Sequence, residues 1–184
     1  MKFQINRKET TRKRLILLFA FVPILLACAT GKAYDETVLQ WRSYEDVARW
    51  MSIHFSYDMA RLKETEGKGP LVIPPRSPEE TFRIKSGVCY DAALFARETL
   101  NRIAPSYEAE IVCLDCRPYI SHFVCAFKRN GKLFIIDYGI PYRNMVGVQG
   151  PYNSLEEYKK FYEKYYPWAT RVRSISYWDL EKPL

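Results

Sequence analysis

Histidine is scarce: His54 and His122 are the two in 184 residues. A structural zinc site takes four Cys or His ligands at set spacings. The one CxxC, Cys113-Leu114-Asp115-Cys116, has no second pair to complete such a site. No metal and no cofactor is therefore expected. The CxxC closes a strand-like segment, whereas a thioredoxin-type pair opens a helix, so dithiol chemistry is disfavoured too. Internal repeats and low-complexity tracts are missing, which excludes a solenoid and a disordered chain. The net charge of +7 has a local origin. Residues 1–27 hold six basic residues and one acid, and the rest holds 22 basic against 20 acidic, a net of +2. The body of the chain has no polybasic footprint, so nucleic acid is excluded as a partner. Aromatics are plentiful, at 15% with 14 Tyr, and the length suits one small well-packed domain.

The basic stretch ends at Arg14, and residues 15–27 form an apolar run. Thirteen residues span about 20 Å as a helix. A bilayer takes about 20 residues, so the run has the shape of a signal-peptide core. It ends in Leu25-Leu26-Ala27-Cys28, which resembles a bacterial lipoprotein lipobox with Cys28 as the lipidated first residue. The expected division is a signal peptide at 1–27, a tether at 28–42 and one domain at 43–184. Ala29 in place of Asp resembles the outer-membrane default, facing the periplasm, if the source is Gram-negative.

Ser43 with Asp46 reads as a helix start. Val47, Trp50, Met51, His54 and Phe55 then make one apolar stripe, which makes His54 a core histidine. Residues 63–78, rich in Pro and Gly, read as a long loop. Ser77-Pro78-Glu79-Glu80 opens a short helix that stops near Gly87. A helix over about 87–103 is apolar around most of its circumference and belongs at the domain centre. Strand-like segments follow at 109–114, 121–128 and 132–138, with Asn130-Gly131 as a hairpin turn. Ser154 and Glu157 open a helix ending near Pro167, and 171–178 alternates as a last strand. Tyr158, Phe161, Tyr162, Tyr165 and Tyr166 make a packing surface. The order predicts an α+β fold with a central helix on an antiparallel sheet and flanking helices.

Cys89 lies in the first turn of the central helix, where unpaired N–H groups and the dipole favour a thiolate. His122 and Asp137 lie on the two strands of the hairpin. A thiol nucleophile needs a base and a carboxylate to orient that base. A turn at 130–131 pairs positions summing to about 261, so His122 falls opposite about 139 and within reach of Asp137. Val124 and Ala126 share the His122 face, small enough to let the central helix approach. Asp91 reads as a first-turn acid or local hydrogen-bonding group. Cys113 and Cys125 could face one another on adjacent strands, where export would permit a disulfide.

Ser86-Gly87-Val88-Cys89-Tyr90-Asp91-Ala92-Ala93, His122 and Phe134-Ile135-Ile136-Asp137-Tyr138-Gly139 together resemble the transglutaminase-like superfamily. Trp50-Met51, Phe55-Ser56-Tyr57 and Ser77-Pro78-Glu79-Glu80 fit the approach to that motif. The resemblance covers roughly residues 43–140. It implies a papain-like core with Cys89 as nucleophile, His122 as base and Asp137 as its partner, acting on amide bonds of a peptide or protein through a thioester. Hydrolysis is favoured over transamidation. By family analogy Tyr57 or Trp50 supplies an oxyanion donor, or both are core aromatics. The branch that clips surface adhesins flanks its Cys with calcium-holding acids. Val88 and Tyr90 stand there instead, so no such calcium site is expected. The alternative is an inactive module of the same fold that binds a cell-envelope partner.

The tether reading has a direct test. Cys28→Ser is expected to abolish metabolic lipid labelling and release the protein from the membrane fraction; unchanged labelling and fractionation would contradict it.

Overall fold

The computed structural model describes residues 31–65, 73–116, 121–142, 145–165 and 172–178. The leader and Cys28 lie outside the described residues. Residues 31–38 are helical (α1). They are followed by α2 (Tyr44–His54), β1 (Ser56–Tyr57), α3 (Met59–Thr65), α4 (Pro78–Ile84), β2 (Ser86–Gly87) and α5 (Cys89–Ile103). A single 3-10 turn, Pro105–Tyr107, leads to β3 (Glu110–Asp115), β4 (His122–Arg129), β5 (Lys132–Asp137), β6 (Gly147–Tyr152), α6 (Leu155–Tyr165) and β7 (Ser174–Tyr177). The fold is α+β.

Local chemistry sets the helix starts. Asp46 Oδ2 accepts from Ser43 N at 3.3 Å. Ser77 Oγ accepts from Glu80 N at 3.2 Å, with Pro78 in the first turn. Ser154 Oγ accepts from Glu157 N at 3.2 Å. These bonds satisfy N–H groups that a helix leaves unpaired at its start. α4 stops at Ile84 because Lys85 turns left-handed at φ 59°, two residues before Gly87.

Strands β3 to β7 form one antiparallel sheet in the order β6-β5-β4-β3-β7. Asn130 (φ 52°) and Gly131 (φ 72°) make the tight turn between β4 and β5, since a two-residue hairpin turn takes positive φ at both positions. The register runs from Arg129↔Lys132 to Cys125↔Ile136, so paired numbers sum to 261. Gly147, Gly150 and Pro151 concealed β6 from pattern reading. Pro is tolerated there because β6 is an edge strand.

Helices cover both faces of the sheet. On one, Phe127, Cys125 and Ile136 meet Phe95, Ala96 and Leu100 of α5 with Val47, Trp50 and Met51 of α2. On the other, Val112, Leu114, Val124, Ala126, Leu133 and Ile135 meet Tyr158 and Tyr162 of α6. The expected approach of the central helix to Val124 and Ala126 is thus reversed: α5 packs on the alternate residues. Both faces are apolar, so alternation could not tell them apart.

Two further expectations are corrected. Residues 31–38 are not part of an extended tether. Tyr34 and Val38, one turn apart, are buried in the α2–α5 core. The Tyr34 hydroxyl also meets Thr99 Oγ1 at 2.9 Å. The segment 63–78 is helical as far as Thr65. Among the described residues, no helix is long and apolar enough to cross a membrane.

Docking of α1 predicts a graded loss. Tyr34→Phe removes one buried hydrogen bond, about 1 kcal/mol. Tyr34→Ala is expected to cost about 3–5 kcal/mol by urea unfolding. A Tyr34→Ala protein of wild-type stability would contradict α1 as part of the core.

Candidate active site

The site forms where the end of the sheet meets the start of α5. Cys89 is the first residue of α5 and Val88 its N-cap. His122 opens β4 and Asp137 closes β5, so antiparallel pairing puts both at one end of the sheet. Continuing the register sets 124 against 137 and 122 against 139. His122 and Asp137 are therefore diagonal neighbours on one face, within side-chain reach.

His122 Nε2 meets Asp137 Oδ2 at 2.7 Å, and both residues are buried. Cys89 lies close enough to the imidazole to bear on its protonation. Asp137 Oδ1 accepts from Gly139 N at 3.2 Å, which fixes the carboxylate in the turn after β5. Gly139 lies flat against the Cys89 backbone: a Cβ there would sit 2.3 Å from Cys89 Cα. The Tyr162 ring stacks on the imidazole with centroids 5.7 Å apart and planes 26° apart. Burial opposes the imidazolium, but the Asp137 charge and its hydrogen bond, followed by Cys89, raise the His122 pKa to about 10.

The two oxyanion candidates separate. Trp50 lies in the α2–α5 core, stacked on Phe82 at 5.0 Å and tilted against Phe95 at 4.8 Å. Tyr57 comes to the site on β1, which pairs with β2 just before Cys89. Burial raises its phenol pKa far above the ordinary range, and the charges of Cys89, Asp137 and Asp91 add to this.

Asp91 is fully buried and caps its own helix, accepting from Val88 N at 2.9 Å. It also binds Arg61 and Arg76, which sequence reasoning missed. Nothing local marks them, because Arg61 lies 30 positions from Asp91. In sequence Tyr162 reads as packing, and nothing local shows that it faces His122.

His54 is exposed beside Trp50 rather than buried in the core. The register pairs Cys113 with Phe123 and Cys125 with Ile111, so the two cysteines are diagonal rather than opposed, and both are free thiols. Burial, then the Asp115 charge, lifts Cys113 to about 12. The same two causes lift Cys116 to about 11.

A cysteine on a helix start beside a His–Asp pair on an antiparallel sheet is the arrangement of transglutaminase-like proteins. The chain belongs to that family: the family model described as transglutaminase-like domain matches residues 35–162. A curated relative, the UPF0252 protein PH1321 of Pyrococcus horikoshii, is 31% identical over 101 residues. That match covers 54% of this chain and 28% of the relative, so the chain spans little more than a quarter of it. A crystal structure of a TGase aligns with TM-score 0.46 and 14% identity, covering 69% of this chain and 35% of that one. Legionella pneumophila LapG aligns with TM-score 0.40 and 20% identity, covering 62% and 63%.

Two predictions follow from this geometry. Gly139→Ala is expected to displace Cys89 and slow its alkylation at least about tenfold, with a steric origin. Alkylation at the wild-type rate would contradict the contact. The raised His122 pKa stabilises the fold most below the unfolded value of about 6.5 and is lost as pH climbs toward the folded value. The stability gap between wild type and His122→Ala should therefore shrink from pH 6 to pH 10 in urea titrations. A gap that widens over that range would contradict the assignment.

Proposed function

We propose that this protein is a thiol enzyme that acts on amide bonds of peptides or proteins. The observation that carries the reading is the 2.7 Å His122–Asp137 bond, with Cys89 at the start of α5 close enough to bear on the imidazole's protonation. With its proton held by His122, the Cys89 sulfur adds to the amide carbonyl carbon. The carbon–nitrogen bond then breaks, and His122 returns the proton to the departing amine, leaving a thioester. Water attacks the thioester with His122 as base, releasing a carboxylic acid and the free thiol. Asp137 holds the imidazole in orientation and balances its charge. The Cys89 N–H and the Tyr57 hydroxyl stabilise the oxyanion. An amine in place of water would give transamidation. Hydrolysis is the favoured outcome, because water is abundant outside the cytoplasm.

The basic leader, the apolar run and the Leu25-Leu26-Ala27-Cys28 sequence support an exported enzyme held to a bacterial membrane by lipid on Cys28. In a Gram-negative cell this is the periplasmic face of the outer membrane, with substrates in the cell envelope.

The test incubates envelope proteins with wild type or Cys89→Ala in the presence of a biotinylated primary amine. New peptide N-termini that require Cys89, without biotin transfer, are the expected result. Biotin transfer alone would select transamidation. The absence of any Cys89-dependent product would overturn the enzyme reading in favour of a binding module.

A further inference from the structure

Two residues past Cys89, the buried Asp91 anchors a partly buried charge network that the proposed chemistry does not use. Asp91 Oδ2 accepts from Arg61 Nε and from Val88 N, both at 2.9 Å. Its Oδ1 accepts from Arg76 N at 2.8 Å and from Arg61 Nη2 at 3.3 Å. Arg61 Nη2 also donates to Pro74 O at 2.6 Å. Arg76 donates to Asp58 Oδ2 at 3.1 Å and to Ser86 O at 2.7 Å. Asp58 Oδ1 accepts from Arg61 N at 3.0 Å. These bonds tie together three stretches of chain: 58–61, 74–76 and 86–91.

Stability alone does not explain such a cluster, because well-packed apolar replacements of buried ion pairs are often as stable or more so. Its location does. Tyr57 is carried by a ladder of two residue pairs, Ser56↔Ser86 and Tyr57↔Gly87. So short a ladder is marginal by itself. The network brackets it: Asp58 follows Tyr57, while Ser86 O and Val88 N flank Gly87. Gly87 must lack a side chain, since a Cβ there would lie 2.6 Å from Asp91 Cβ. The Arg61 guanidinium meets the Asp91 carboxylate with two nitrogens, so the pair is matched in charge as well as geometry.

We propose that the Asp91–Arg61–Arg76–Asp58 network positions Tyr57 against Cys89 for oxyanion stabilisation; this rests on the thiol-enzyme reading above. The four residues are positioning residues. They act on the tetrahedral step, and the thiol's intrinsic nucleophilicity is left to His122.

The test compares two reactions of one thiol in the full chain in detergent. Iodoacetamide alkylation displaces iodide at a saturated carbon and forms no oxyanion. Acylation by 4-nitrophenyl acetate does: sulfur adds to the carbonyl, 4-nitrophenolate leaves and the thiol proton passes to His122. Arg61→Lys keeps the charge but loses the two-pronged geometry. Arg61→Lys and Asp91→Asn are expected to slow the acylation burst about 10- to 100-fold, while alkylation stays within about threefold. Tyr57→Phe is expected to reproduce the split. Arg61→Lys decides the matter if melting shows that Asp91→Asn is unfolded. Parallel loss of both rates, an unchanged burst, or a split that Tyr57→Phe does not share would each overturn the positioning role. A wild type that gives no burst at all would overturn the thiol-enzyme reading, and the positioning role with it.

Discussion

The candidate site depends on how closely α5 can bring its first residue to the end of the sheet. Backbone meets backbone there: a Cβ on Gly139 would lie 2.3 Å from Cys89 Cα. That approach sets the thiol beside His122 at the start of β4 and Asp137 at the end of β5. It requires a glycine after Asp137, and it requires α5 to be held from behind. Phe95, Ala96 and Leu100 are fully buried against the sheet and α2, and α1 packs on the same core. The hydrophobic layers thus fix a helix axis, and the helix start follows from it.

Two buried carboxylates at this end do different work, and their partners explain the difference. Asp137 faces an imidazole and accepts from Gly139 N, so its charge bears on a group that can gain or lose a proton. Asp91 faces Arg61 and two backbone N–H groups, donors that keep their protons at any ordinary pH. The first arrangement suits proton transfer and the second suits fixed geometry. Tyr162, stacked on His122 from α6, adds an aromatic wall on the far side of the imidazole.

Much of this was legible in sequence because it rests on local signals. Asn130-Gly131 specified the turn, and from the turn came the register that brings His122 and Asp137 together. Ser77 and Ser154 marked helix starts through their own side chains, and Ser43 through the side chain of Asp46. What escaped reading was non-local or ambiguous. Tyr34 and Val38 are a sparse apolar pair among charged residues, too weak to announce a docked helix. Strand β6 carries Gly147, Gly150 and Pro151 where alternation would normally show. The face of the sheet met by α5 could not be chosen, because the strands are apolar on both sides. His54 lies on the apolar stripe of α2 yet falls at its open end. The Arg61–Asp91 pair joins segments 30 positions apart, and only the folded chain reveals it.

In the proposed chemistry Cys89, His122 and Asp137 work as one unit. The most direct measurement is the rate of Cys89 alkylation at pH 7, resolved by peptide mass in wild type and in a folded His122→Ala variant. Rapid labelling of Cys89 is expected in wild type, with a fall of at least about tenfold without the imidazole. Equal rates in the two proteins would contradict it.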